Sequence, residues 1–144
     1  MKTLYAVLFA AMLVGCASVK PVPVQAGDRC LRCRQPVSEL RLAGEIIDNL
    51  NAPFPFRTPG CLAKYVKANE GSFTAVFVTD YRTGRMLSAS DAWFVPTELP
   101  AVDGTKRMAA DYIAYGSRSD AEASRTRNEQ LLRWTQVVAA APAH

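Results

Sequence analysis

Residues 73–84 read FTAVFVTDYRTG, and this stretch decides the predicted fold class. Its first seven residues are β-branched or aromatic apart from one alanine, which is typical of a strand. Residues 81–84 contain polar residues and a glycine and form a predicted turn. Residues 85–89 should therefore return as a second strand, and residues 93–95 form a third short strand that ends before Pro96.

A helix is predicted on the N-terminal side of this hairpin. Thr58 is a suitable N-cap and Pro59 suits the first helical position, so the helix should begin there and run to Asn69. Its apolar face consists of residues at helical spacing, namely Cys61, Leu62, Tyr65 and Val66. A further strand is expected at residues 43–47.

On the C-terminal side, residues 96–105 contain proline, aspartate and glycine and predict a loop, and residues 112–115 predict another strand. A last helix is predicted with Ser119 as its N-cap and Glu122 completing a capping box. Its buried face would be formed by Leu131, Trp134, Val137 and Val138. Because helices and strands are mixed along the chain, the prediction is a small single-domain α+β fold.

The N-terminus has the pattern of an exported lipoprotein. Lys2 precedes an apolar run at residues 4–14, which is too short to span a bilayer and is typical of a signal peptide. The tetrapeptide at residues 13–16, LVGC, resembles a lipobox, the sequence that is cut before a lipid-modified cysteine. We therefore expect residues 1–15 to be a signal peptide and Cys16 to carry acyl chains such as palmitate. The alternative is an ordinary signal peptide with a chance cysteine.

This pattern predicts the organisation and the location of the mature chain. Residues 16–27 include two prolines and should form an extended tether, residues 28–138 the folded domain and residues 139–144 a flexible tail. Lipid on Cys16 would anchor the protein in the cell envelope. Because Ala17 rather than aspartate follows that cysteine, lipoprotein sorting predicts the outer membrane, with the domain facing the periplasm.

Charge and composition exclude two classes of function. The net charge is only +4, and the basic residues are scattered apart from Arg29, Arg32 and Arg34. No basic and aromatic stripe accompanies them, so nucleic acid is not an expected partner. Since the only histidine is His144, near the end of the chain, no Ser–His or Cys–His pair is available, and we expect a binding protein rather than an enzyme.

Three cysteines remain after Cys16, and an odd number cannot all pair within one chain. Cys30 and Cys33 form a CxxC motif, and Cys61 lies on the predicted helix. Haem attachment is excluded because Arg34 stands where that motif needs histidine. Zinc usually takes four Cys or His ligands, which the sequence does not supply near the motif.

The residues leave three interpretations of the cysteines open. Cu(I) accepts thiolates and thioethers, and three cysteines with a methionine suit it best. Met108, after the predicted loop, is the better candidate thioether, since Met86 in a predicted strand is expected in the core. Alternatively, Cys30 and Cys33 form a thiol–disulfide redox pair. In the third interpretation they form one structural disulfide and Cys61 is a small buried apolar residue.

The sequence resembles the NosL family, lipoprotein accessory factors that handle copper for nitrous oxide reductase. The resemblance rests on the lipobox, on Cys30 and Cys33 near the mature start, and on Gly60-Cys61 with Tyr65 one turn later. It continues through residues 78–84 to Phe94 and Val95, and a late Met108 precedes the final helix. In the family's Cys-Gly-Met motif the cysteine corresponds to Cys33, where Arg34 and Gln35 follow in this chain.

The resemblance implies two ββαβ-like units and delivery of Cu(I) in the periplasm. The candidate metal ligands are then Cys30, Cys33, Cys61 and Met108, with nitrous oxide reductase as a possible client. The predicted function is a membrane-anchored Cu(I)-binding protein that resembles a metallochaperone. The alternatives are an oxidoreductase that uses Cys30 and Cys33 and a structural lipoprotein with one disulfide.

Overall fold

The computed structural model describes residues 18–101, 103 and 105–142, so the predicted signal peptide and Cys16 lie outside this part of the chain. The strands and helices follow in the order β1 (Gly44–Asp48), β2 (Pro53–Phe56), α1 (Pro59–Ala68), β3 (Phe73–Thr79), β4 (Met86–Ser88), β5 (Trp93–Pro100), β6 (Met108–Tyr115), α2 (Arg118–Ser124) and α3 (Trp134–Ala140). The strands form a four-stranded and a two-stranded antiparallel sheet, which confirms the α+β class.

The first unit has the connectivity ββαβ, formed by β1, β2, α1 and β3. β1 pairs with β2 on one side and with β3 on the other, and β4 extends the sheet beyond β3. Helix α1 packs closely on β1, because a Cβ atom at Gly44 would lie 2.7 Å from Cδ2 of Leu62. Glycine at this position therefore permits the approach between helix and sheet.

The second unit repeats this arrangement in reduced form. β5 and β6 pair along their whole length, from Trp93 opposite Tyr115 to Pro100 opposite Met108. After α2 the chain returns to β5, where Phe94 and Leu132 exchange two backbone hydrogen bonds of 2.9 Å. The last strand of this unit is thus reduced to a single bridge at Leu132. Leu132 lies beside β5 in the second unit as β3 lies beside β1 in the first.

The prediction of one long last helix is wrong. The structure has two helices, α2 and α3, and the bridge at Leu132 lies between them. α2 is capped by Ser117, whose hydroxyl accepts from the amide of Asp120, rather than by Ser119. The chain then leaves the helix, since Leu132 must be extended in order to pair with β5. α3 begins only at Trp134, and of the predicted apolar face Val137 is fully buried.

The predicted loop at residues 96–105 is also shorter in the structure. β5 continues through Pro96 to Pro100, and β6 begins at Met108. A strand tolerates prolines where one of its edges is unpaired. Among the described residues, β5 has a second neighbour only at Leu132, so most of its other edge needs no amide donors.

The two units share one core. Its largest fully buried side chains include Phe56 and Leu62 from the first unit, Phe94 from the second and Val137 from α3. Residues 139–140, which the sequence assigned to a flexible tail, form the end of α3, and Ala141 is buried. The ammonium of Lys67 donates to the carbonyl of Ala139 at 2.9 Å.

The described part of the predicted tether, residues 18–27, contains no helix or strand and contacts the domain. The amide of Val22 donates to Oε1 of Glu45 at 2.9 Å. Glu45 is buried in β1, and this burial raises the pKa of its carboxyl. Within the described ranges, no helix has both the length and the apolar character that crossing a membrane requires.

Leu62 offers a direct test of this core. Leu62→Ala should lower the free energy of unfolding by about 2–5 kcal/mol, because it leaves a cavity between α1 and β1. The control is Leu50→Ala, since Leu50 is 86% exposed and its loss should change stability by less than about 0.5 kcal/mol. Chemical denaturation of both variants measures the difference, and equal effects would contradict the packing of α1.

Candidate metal centre

The structure brings the three cysteine side chains together. The sulfur atoms of Cys30, Cys33 and Cys61 all lie within 4.8 Å of one another, and the three are free thiols. A metal–sulfur bond of about 2.3 Å places the sulfurs of a trigonal site about 4 Å apart. The cluster is therefore compact enough to surround one ion.

The loop at residues 30–35 presents Cys30 and Cys33. It is closed by the amide of Cys30, which donates to the carbonyl of Gln35 at 3.0 Å, and by the amide of Arg34, which donates to the carbonyl of Cys30 at 2.9 Å. The amide of Leu31 attaches the loop to β2. Arg34 has a φ of 62°, a conformation that favours glycine.

Cys61 comes from the first turn of α1, which is the helix that the sequence predicted. Its amide donates to the hydroxyl of Thr58, the predicted N-cap, at 3.2 Å. The same hydroxyl donates to Asp111 in β6 at 2.6 Å. Asp111 was not singled out from the sequence, because it lies 53 residues from Thr58 and has no pattern that relates the two.

The three thiols differ in exposure and in acidity. Cys30 is completely buried and Cys61 is 8% exposed, whereas Cys33 is partly exposed. A hydrogen bond with the Cys61 thiol lowers the pKa of Cys30 from 9.0 to about 5, and backbone amides of Cys33 and Arg57 add to this effect. The same hydrogen bond raises the pKa of Cys61, and burial of that thiol raises it further. Burial also raises the pKa of Cys33. Cys30 is therefore the most acidic of the three thiols.

A cavity of about 160 Å³ lies beside Cys61. Its lining includes three cationic side chains, those of Arg32, Arg57 and Lys64, two acidic side chains, those of Asp103 and Asp111, and residues from the ends of β5 and β6.

The other predicted ligand, Met108, is more exposed than the cysteines and lies in a different element, the strand β6. It is the first residue of β6, pairs with Pro100 and is 54% exposed. The cavity wall contains Ala109 and Ala110, which follow it, but not Met108 itself. Met86 is partly buried in β4, and His144 lies outside the described residues.

The acidity of Cys30 predicts how the reduced protein responds to pH. Its folded pKa of about 5 lies below the ordinary 9.0, so between these values the folded state binds fewer protons than the unfolded state. The contribution to stability should therefore rise with pH through this window and be lost as the pH falls through 5. Cys30→Ser should remove this dependence and the thiolate absorbance that titrates with it.

Ultraviolet titration and denaturation of wild type and Cys30→Ser from pH 4 to about pH 10 measure the effect. The Cys33→Ser variant is the control, because the thiolate of Cys30 should persist in it. A wild-type thiolate signal that appears only near pH 9 would contradict the assignment.

Comparisons with known proteins identify the fold. No protein-family model matches the sequence, and no curated protein matches it. Among solved structures, the crystal structure of the copper chaperone NosL from Shewanella denitrificans is similar, with a TM-score of 0.64 and 17% sequence identity. The match covers 83% of this chain and 96% of that chain. The chain therefore has the fold of that copper chaperone, as the resemblance of its sequence to the NosL family predicts.

Proposed function

We propose that this chain binds Cu(I) at the three cysteines and delivers it to a partner in the periplasm. The observation that carries the proposal is the convergence of three sulfur atoms within 4.8 Å at one end of α1. The loop that holds Cys30 and Cys33 and the helix that holds Cys61 are separate elements, so their meeting is a property of the fold. The copper chaperone NosL, whose fold the chain shares, supports the choice of metal.

The donor set favours Cu(I) over Zn(II). Soft thiolates select Cu(I), which is stable with few ligands, whereas structural zinc is almost always bound by four. Among the described residues, the groups of cysteine, histidine and acidic side chains close enough to hold a metal contain only these three cysteines. The lowered pKa of Cys30 favours the thiolate, which is the form of cysteine that binds a metal.

The exposure of the site suits transfer. Cys33 is the most accessible of the three sulfurs, so a recipient's ligand can approach the ion from its side. Met108 is exposed at the start of β6 and is proposed as a weaker, exchangeable ligand during transfer. Nitrous oxide reductase is the client that the family resemblance suggests.

The proposal includes a lipid anchor at Cys16 in the outer membrane. Five residues separate Cys16 from Val22, which is bound to Glu45. An extended chain spans at most about 3.5 Å per residue, so the domain would remain within roughly 20 Å of the anchor. A carrier held in this way would meet its partners close to the membrane surface.

The copper site is tested by competition titration of the reduced protein with Cu(I) and a chelator. Wild type should bind one Cu(I), and Cys33→Ser should bind it far more weakly, because a charged donor is lost. Met108→Leu should have a smaller effect, since it removes a neutral thioether. The control is Met86→Leu, which makes the same change in a strand of the sheet and should leave the affinity unchanged.

A double variant, Cys30→Ser/Cys33→Ser, gives the contradicting outcome. If it holds copper as tightly as wild type, the cluster is not the site. If wild type binds no copper and the double variant only loses stability, the pair is a structural element and the chain shares the fold without the function.

The anchor is tested separately in cells. Cys16→Ser should abolish incorporation of labelled fatty acid and prevent normal processing, because the modified sulfur is absent. The Cys33→Ser variant controls for cysteine loss in general and should be labelled like wild type. Equal labelling of wild type and Cys16→Ser would contradict the lipoprotein assignment.

A thiol–disulfide oxidoreductase is the second candidate, favoured by the low pKa of Cys30 in a CxxC motif. Its nucleophile must be accessible to a substrate disulfide, whereas Cys30 is completely buried. Reduction of insulin disulfides that is catalysed by wild type and lost in Cys30→Ser would support this candidate over copper delivery.

A further inference from the structure

The carboxylate of Asp111 joins the second unit to the helix that carries Cys61. Its Oδ2 accepts the hydroxyl of Thr58 at 2.6 Å, and its Oδ1 accepts the amide of Gly60 at 2.8 Å. Oδ1 also accepts the amide of Tyr112 at 2.8 Å, which fixes the carboxylate relative to its own strand. One side chain of β6 thus accepts hydrogen bonds from both the N-cap residue and the first turn of α1.

The contact is built into the helix by Gly60. A Cβ atom at this position would lie 2.7 Å from Oδ1 of Asp111, 2.8 Å from its Cγ and 2.9 Å from its Oδ2. Such distances are too short for any side chain, so only glycine allows the carboxylate to reach the amide. The negative charge also suits a helix N-terminus, where unpaired amides point outward.

The contact acts directly on Cys61. The hydroxyl of Thr58 donates to Asp111 and at the same time accepts the amide of Cys61. Two hydrogen bonds therefore connect the carboxylate with the backbone of the cysteine, and Gly60 is its neighbour in the chain. Movement of this turn would move the Cys61 sulfur relative to Cys30 and Cys33.

We propose that Asp111 is a positioning residue of the metal centre, which holds the first turn of α1 so that three sulfurs rather than two converge. The effect of Asp111 on Cu(I) affinity rests on the proposed function, whereas its effect on the accessibility of Cys61 can be measured in the metal-free protein. Residues that orient metal ligands without touching the metal commonly change affinity by about 10-fold to 100-fold when they are replaced. Because Asp111 lies in β6, the same contact also attaches β6 to the N-terminus of α1.

The first experiment measures Cu(I) affinity by chelator competition. Asp111→Ala should bind about 10-fold to 100-fold more weakly than wild type. Asp111→Asn keeps an oxygen that accepts the Gly60 amide, so it should retain more of the affinity. Asp103→Asn is the matched control, because Asp103 lines the same cavity and loses the same charge without contacting α1. It should bind as wild type does.

The second experiment measures alkylation of each cysteine in the reduced, metal-free protein by mass spectrometry. Cys61 is 8% exposed and should react slowly in wild type and in Asp103→Asn. It should react several-fold faster in Asp111→Ala. Val137→Ala, a core truncation in α3, controls for general loss of stability. It should lower the unfolding temperature without weakening copper binding.

The outcomes separate the two proposals. If wild type binds no Cu(I), copper delivery is contradicted, and the alkylation rates still decide whether Asp111 positions Cys61. If Asp111→Ala leaves both affinity and alkylation unchanged, the positioning role is wrong. Equal weakening by Asp103→Asn would mean that the charge of the cavity, rather than the turn of α1, controls the site.

Discussion

The packing of helix α1 against both sheets is the constraint on which the rest of the structure depends. Leu62 lies against β1 where Gly44 leaves room for it, and the helix N-terminus is bound to Asp111 of β6. The helix therefore contacts both sheets, and one core forms from two units that could not bury their apolar faces separately. Because Cys61 is in the first turn of this helix, the same packing determines where its sulfur lies.

Of the three thiols at the centre, Cys30 is completely buried and is the most acidic. Its pKa is lowered chiefly by a hydrogen bond with another of the ligands, Cys61, rather than by a separate base. An incoming soft cation would replace that hydrogen bond, displace the remaining protons and use the same sulfurs.

Local signals in the sequence were sufficient for part of the fold. The β-branched run of β3 and the Thr58-Pro59 start of α1 were predicted correctly because their causes lie within a few residues. β2 was missed, since Pro53 and Pro55 in a four-residue strand suggest a loop and are tolerated only at a sheet edge. The break before α3 was missed because its cause, the pairing of Leu132 with β5, is a tertiary contact.

The site was predictable to a similar extent. The CxxC motif and Cys61 could be selected from residue type, and the structure brings all three together. The role of Asp111 could not be selected, because it depends on a contact across 51 residues to Gly60. The residue types favoured Cu(I) among the metals but left a redox pair and a structural disulfide open, and the resemblance to a family added copper delivery and the expected pair of units.

X-ray absorption spectroscopy at the copper edge of the Cu(I)-loaded wild-type protein tests the central claim most directly, since it identifies and counts the atoms bound to the metal. A trigonal site at Cys30, Cys33 and Cys61 predicts three sulfur neighbours and no nitrogen or oxygen. A first shell that contains nitrogen or oxygen, or fewer than three sulfurs, would contradict it.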